Sequence, residues 1–318
     1  MNIIPVDSGV FGVKSVAGKQ LPGYEAGAGH PFLHPQIPTY QFRENDLRKL
    51  ALLWTREISR QETDPRLGLM LMGPKGAGKT TLPEQFFSRL GVPVMSYTVN
   101  KRTQMQDLLC NKTLIDGEVV DQDGPLLIAM RQGFPAVLNE IDLFDPGEAT
   151  GLNDIIERGY AVLDNGEMVR AARGFMVFAT SNTKGSGDMD GRYAGTRVVN
   201  SALMSRFAKL AVEYPTVPEE HAIICAKFPS IDKDVAMMFA NAAKLIRDAY
   251  LGGADRPAIE ETISTREVIF WVGMAGALRS ACQDPVHAAL DFIVADACDE
   301  VTKKAMHEIV HTVFGDKA

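Results

Sequence analysis

The segment Gly73-Pro74-Lys75-Gly76-Ala77-Gly78-Lys79-Thr80, with Thr81 after it, constrains this chain more than any other stretch. It fits G-x-x-x-x-G-K-[ST], follows the apolar run Leu67 to Met72, and opens a helical stretch. The residue types answer to the task of holding phosphate. Glycines let backbone N–H groups curl around phosphate oxygens, and a helix start adds partial positive charge. Lys79 is placed to reach β- and γ-phosphates, and the Thr80 hydroxyl to hold Mg²⁺. Gly73 to Thr81 is thus the expected nucleotide-binding segment, with ATP and Mg²⁺ as ligands. The strand before it and the helix after it argue against a glycine-rich turn that fits by accident. Pro83 is expected to cost the following helix a hydrogen bond to residue 79, or to kink it. Guanine specificity usually needs N-K-x-D; Asn100-Lys101-Arg102-Thr103 ends in Thr, which disfavours a GTPase.

Further apolar strands are expected at Val92 to Val99, Ala136 to Leu138, Phe175 to Ala179 and Leu210 to Val212. Helical stretches alternate with most of them, which predicts a parallel α/β sheet of five strands flanked by helices. Residues 1–44, rich in Gly and Pro, read as an extended N-terminal arm. Residues 45–215 read as the α/β nucleotide-binding domain, beginning with a helix that carries Leu47, Leu50, Leu53 and Ile58 on one face. Residues 216–318 read as an all-helical lid. Asp116-Gly117 and Asn165-Gly166, each between apolar residues, predict hairpins with tight primed turns.

The 318 residues carry a net charge of −7, which argues against a protein that coats polyanions. That charge is uneven: residues 216–318 carry net −6 and residues 1–215 only −1, so nucleic acid is disfavoured less for the nucleotide-binding part. No apolar run approaches a membrane span, the start lacks a signal-peptide layout, and Cys110, Cys225, Cys282 and Cys298 stand far apart. A cytoplasmic protein with reduced thiols is expected.

Two further strand ends carry polar groups. Phe134 to Asp142 is an apolar strand ending in Asn139-Glu140-Ile141-Asp142. Beside a phosphate loop, Glu140 is placed to polarise the attacking water, and residue 139 to help hold Mg²⁺ through water. Position 139 is usually Asp; Asn139 accepts hydrogen bonds but brings no charge. Phe175 to Asn182 ends in an amide that can orient the water or touch the γ-phosphate.

Taken in order, these residues resemble an AAA+ P-loop ATPase of the MoxR group, of the kind found in the cobaltochelatase ATPase subunit (CobS type), with CbbQ, NorQ and GvpN as relatives. The resemblance covers nearly the whole chain. It includes Phe11-Gly12-Val13, Leu21-Pro22-Gly23, Asp123-Gly124-Pro125-Leu126, the run Gly185 to Thr196 with Asn200, Ala202 and Ser205-Arg206-Phe207, and Ile263-Ser264-Thr265-Arg266. It implies that Arg206 is an arginine finger reaching a neighbouring subunit's ATP, that Arg266 is a second sensor on the lid, and that Arg192 and Arg197 lie near the subunit junction. It also implies a homo-oligomer, a hexameric ring. The task implied is remodelling of a protein partner, a von Willebrand A-type protein, with metal insertion as one form of it. Ser205 departs from the Asp that usually precedes the finger. The two hairpins resemble inserts that face a ring's pore or surface.

Three other readings compete. Asn139 favours a nucleotide-gated binding and assembly module with weak hydrolysis. AAA+ rings also drive DNA machines, against which the overall acidity argues. His307-Glu308-Ile309-Val310-His311 fits the H-E-x-x-H zinc motif, but the seven residues after His311 include no His or Glu to complete it. Val301, Ala305, Ile309 and Val313 make the same segment an amphipathic final helix.

Overall fold

The structure is a computed structural model that describes residues 2–25, 29–182, 200–252 and 259–315. It divides into two compact units: Met1–Gly73 with Lys79–Val212, and Pro74–Gly78 with Glu213–Ala318.

The first unit is built on five parallel strands: β1 (Gly68–Met72), β2 (Met95–Thr98), β3 (Pro135–Asn139), β4 (Met176–Ser181) and β5 (Phe207–Ala211). Their order is β5-β1-β4-β3-β2. Burial explains the sequence pattern. The central strands β3 and β4 are buried at every residue, so they read as unbroken apolar runs. The edge strands β2 and β5 mix buried and exposed positions. Helices α1 (Glu44–Ser59), α2 (Thr81–Arg89) and α3 (Pro125–Gln132) belong to this unit. On α1, Leu47, Leu50, Trp54 and Ile58 are buried. Trp54 meets Phe87 of α2 edge-on at 5.0 Å, and Phe87 meets Phe178 of β4 at 5.3 Å, so one aromatic file joins helices and sheet.

Three expectations need correction. The N-terminal arm is not simply extended: Ile3–Asp7 and Gln20–Tyr24 pair as an antiparallel hairpin. Phe11 stacks on Phe86, Trp54 donates its indole N–H to the Pro22 carbonyl at 2.6 Å, and the Tyr24 hydroxyl donates to the Gly133 carbonyl at 2.8 Å. Burial pushes the Tyr24 phenol far above its usual range. Gly23 is required here, because a Cβ would run into the Leu90 carbonyl. Pro83 costs α2 no bond. The helix starts at Thr81, so Pro83 falls in the first turn, where backbone N–H groups have no intrahelical partner. The hairpin Tyr160–Val162/Met168–Arg170 lacks the expected two-residue primed turn. Gly166 alone has positive φ, its N–H bonds the Leu163 carbonyl, and Leu163 N–H bonds the Glu167 carbonyl. That is a three-residue loop closed by a glycine bulge. By contrast Asp116 (φ 51°) and Gly117 (φ 87°) both adopt positive φ, as a type I′ turn needs, between Cys110–Ile115 and Glu118–Asp123.

The second unit is helical: α4 (Val217–Lys227), α5 (Lys233–Leu251), α6 (Thr265–Leu278), α7 (Pro285–Ile293) and α8 (Glu300–Phe314). Phe239, Trp271 and Phe314 form its aromatic centre, Phe239 and Trp271 lying 4.7 Å apart edge-to-face. The Trp271 indole N–H donates to the Val286 carbonyl at 2.8 Å, satisfying its one polar atom. Of the apolar stripe expected on α8, Ala305 and Ile309 are buried but Val301 is exposed. The run Gly185 to Thr196, with Arg192 and Arg197, lies outside the described residues.

Candidate functional site

The parallel register brings the C-terminal ends of β1, β3 and β4 side by side, and each ends in a polar residue or the phosphate loop. Lys79 is 8% exposed, and its ammonium donates to the Gly73 carbonyl at 2.9 Å and to the Asn182 amide oxygen at 2.8 Å. Burial lowers its pKa to about 8, against the pull of Asp142 and then Glu140. The Thr80 hydroxyl donates to Asn139 Oδ1 at 2.6 Å, and the Thr180 hydroxyl donates to the same oxygen at 3.3 Å. The Thr180 oxygen in turn accepts the Glu140 backbone N–H at 3.1 Å.

Glu140 stands out in the backbone as well. Its φ of 58° and ψ of 44° place it in the left-handed region, which side chains other than Gly, Asn and Asp seldom enter. Such a conformation is held only where surroundings over-determine it, and Thr180 supplies one of the restraints. The structure therefore gathers Lys79, Thr80, Asn139, Glu140 and Asn182 at adjacent strand ends of the first unit, in two hydrogen-bonded groups: Lys79 with Asn182, and Thr80 with Asn139, Thr180 and the Glu140 backbone. Asn139 Oδ1, already accepting two hydroxyl protons, is a neutral partner for the Thr80 oxygen.

Sequence reasoning missed two members. Thr180 hides inside an apolar strand, where no motif marks it. Asp142 ends the polar tetrad after β3, with nothing in the sequence to single it out, yet it is 1% exposed. Its Oδ2 accepts the Ser181 hydroxyl at 3.1 Å and the Asn182 backbone N–H at 3.0 Å. A buried carboxylate beside a lysine and the Asn182 amide is a signal only after folding places it there.

Arg206 is not in the cluster. The register pairs Phe207 with Gly68 and Ala211 with Met72, so Arg206 sits at the opposite end of β1 from the phosphate loop. At about 3.3 Å per residue, roughly 15 Å of strand separates the two. Arg206 pairs with Glu157 at 2.9 Å and donates to the Ala202 carbonyl at 2.6 Å. The Ser205 hydroxyl donates to that same carbonyl at 2.8 Å.

The remaining loop residues, Pro74 to Gly78, cluster with the second unit. The Tyr214 hydroxyl donates to the Lys75 carbonyl at 2.7 Å, and Lys75 Nζ lies 3.9 Å from Glu261. Gly76 (φ 74°) lies against Ser264, leaving no room for a Cβ, whereas a Cβ at Gly78 (φ 91°) would meet nothing within 4 Å. Positive φ at both glycines gives the curled backbone that a phosphate cradle needs, so the residues present fit a nucleotide. Ser264 caps α6 reciprocally with Glu267, which sets Arg266, exposed, in that helix's first turn.

The H-E-x-x-H pair is differently engaged. His307 Nε2 lies 2.6 Å from Asp291 and its ring stacks on His287 at 5.0 Å, while His311 is exposed. Among the described residues no group of three His, Cys, Asp or Glu side chains could hold a metal ion.

Comparison with known proteins agrees with this geometry. Residues 68–207 match the AAA domain (dynein-related subfamily), and residues 220–313 match the CbbQ/NirQ/NorQ C-terminal family. The aerobic cobaltochelatase subunit CobS of Sinorhizobium sp. is 27% identical over 96% of this chain and 89% of its own length. Midasin of Giardia intestinalis is 28% identical over 62% of this chain, which spans only 4% of that much longer protein. Among solved structures, the Thermotoga maritima RuvB Holliday junction branch migration motor superposes with a TM-score of 0.51 at 16% identity, covering 90% of this chain and 75% of that one, a likeness of fold. No described helix is long and apolar enough to cross a membrane. The parallel five-stranded sheet, the phosphate loop and the two family matches together place this chain among the AAA+ ATPases of the MoxR group, of the CbbQ, NorQ and CobS type.

Proposed function

We propose that this chain hydrolyses ATP as one subunit of a homo-oligomeric ring, hexameric as in its family, and uses the cycle to remodel a protein partner. The observation that carries the reading is the cluster of Lys79, Thr80, Asn139, Glu140 and Asn182 at three adjacent strand ends. Gly73 to Thr81 holds the phosphates. Lys79 gives up its contacts with Gly73 and Asn182 to meet β- and γ-phosphate oxygens. Glu140 accepts a proton from the attacking water, and Asn182 orients that water or the γ-phosphate. Thr80, with Asn139 behind it, would hold Mg²⁺, which when bound neutralises charge developing on the phosphate oxygens.

Arg206 supports the ring. It lies at the far end of β1 from its own phosphate loop, a placement that suits service to a neighbour's ATP rather than its own. A finger supplied this way is worth roughly 10³–10⁵ in rate. Arg266 acts as the second sensor. The partner class, a von Willebrand A-type protein, and metal insertion as the task rest on similarity to CobS. The test is capture: Glu140→Gln rings loaded with ATP should retain the partner and sediment as an assembly. Monomers in saturating ATP would contradict the ring.

Asn139 favours a second reading, a nucleotide-gated assembly module with slow hydrolysis. Asn139→Asp then raises phosphate release several-fold; a variant no faster than wild type removes this reading.

A further inference from the structure

The carboxylate of Asp142 is 1% exposed, and only one of its oxygens is satisfied. Oδ2 accepts the Ser181 hydroxyl and the Asn182 N–H, while Oδ1 is buried with no hydrogen-bond partner among the described residues. A buried, half-satisfied carboxylate is costly, so a retained one calls for a reason. Two observations supply it. The atoms Asp142 holds are the end of β4, and the next group along is the Asn182 side chain, whose oxygen accepts the Lys79 ammonium at 2.8 Å. The position that usually brings a carboxylate to such a site is Asn139, whose oxygen is occupied by two hydroxyl donors and carries no charge.

We propose that Asp142 is a positioning residue for ATP hydrolysis: its buried carboxylate fixes the end of β4 so that the Asn182 amide faces Lys79, and it brings to the site the charge that Asn139 does not. The inference rests on the hydrolytic reading above. Asp142 touches neither nucleotide nor water in this scheme; it acts through Asn182 and through its charge. Its attraction for Lys79, larger than that of Glu140, is in keeping with this.

The experiment measures kcat and KM for phosphate release by wild type, Asp142→Asn, Asn182→Ala, the pair Asp142→Asn/Asn182→Ala, and the charge swap Asn139→Asp/Asp142→Asn, with a melting curve for each. Asp142→Asn should lower kcat about 10-fold with KM within about twofold. Adding Asn182→Ala to it should cost less than about twofold more, since the two act as a unit. The charge swap should recover most of the loss. A kcat for Asp142→Asn within twofold of wild type, multiplicative losses in the pair, or a swap no better than Asp142→Asn overturns the proposal. If Asp142→Asn does not fold, Ser181→Ala, which removes one donor to the carboxylate and should lower the melting temperature without unfolding the protein, should lower kcat about threefold when assayed well below that temperature; no loss overturns it. If wild type itself releases no phosphate, the hydrolytic reading fails instead. Asp142 is then judged by ATP affinity, where coupled effects of Asp142→Asn and Asn182→Ala support its role and independent ones overturn it.

Discussion

At the scale of single residues, the site is a set of polar groups whose partners are each other. Thr180 shows how tightly they are shared: one hydroxyl serves both the Glu140 N–H and the Asn139 oxygen. Thr180→Val keeps the shape and removes both bonds, so urea denaturation should show a loss of about 1–3 kcal/mol. Turnover should fall with it, because the left-handed turn that aims Glu140 loses a restraint. Gly73 is a second pressure point. A Cβ there would strike the Val212 carbonyl, a backbone atom that cannot step aside, so Gly73→Ala should destabilise the first unit and weaken ATP binding in a titration. Residues that carry a motif, Lys79 and Glu140 above all, were legible from spacing. Thr180 and Asp142 were not, because their importance comes from a register between strands that lie about 40 residues apart in the chain.

At the scale of elements, strands were legible wherever both faces are covered, since an unbroken apolar run allows little else. The N-terminal hairpin was not, because its Gly and Pro read as irregular chain and its anchors, Phe11 and Tyr24, act through distant partners. Asn165-Gly166 misled for a local reason: the dipeptide permits a primed turn but does not require one, and Asn165 instead bonds its side-chain oxygen to Glu167 N–H at 2.9 Å. In the helical unit, Glu220 of α4 and Arg247 of α5 form a bidentate pair, both at most 2% exposed. Arg247 also donates to the Ile263 carbonyl at 2.8 Å and lies 4.5 Å from the Tyr214 ring centre. Glu220→Ala leaves that guanidinium buried without its counter-charge and should cost about 3–5 kcal/mol, read from chemical denaturation. A pH effect belongs to α7 and α8. Burial raises the Asp291 carboxyl, but the neighbouring His307 and Lys303 outweigh it and hold the group below its usual range. Its folded value is thus lower than its unfolded one. The stability it adds is complete above the unfolded carboxylate range, about pH 4, and is lost as pH falls through the folded value. Asp291→Asn should flatten the acid limb of a stability curve followed by circular dichroism.

At the scale of the whole molecule, the proposed ring divides the chemistry of hydrolysis between subunits. On that reading the groups at Lys79, Glu140 and Asn182 act on the subunit's own ATP, while Arg206, held by Glu157 at the other end of β1, acts on a neighbour's. Mixing subunits should expose this division. Arg206→Ala and Lys79→Ala variants, each inactive alone, should regain phosphate release when combined, because the finger of one can serve the loop of the other. The most direct measurement is steady-state phosphate release by wild type and Glu140→Gln under saturating MgATP, with ATP binding followed in parallel. The account predicts turnover by wild type, a loss of at least about 100-fold in Glu140→Gln, and ATP affinity unchanged within a few-fold. Equal turnover in the two proteins would contradict it.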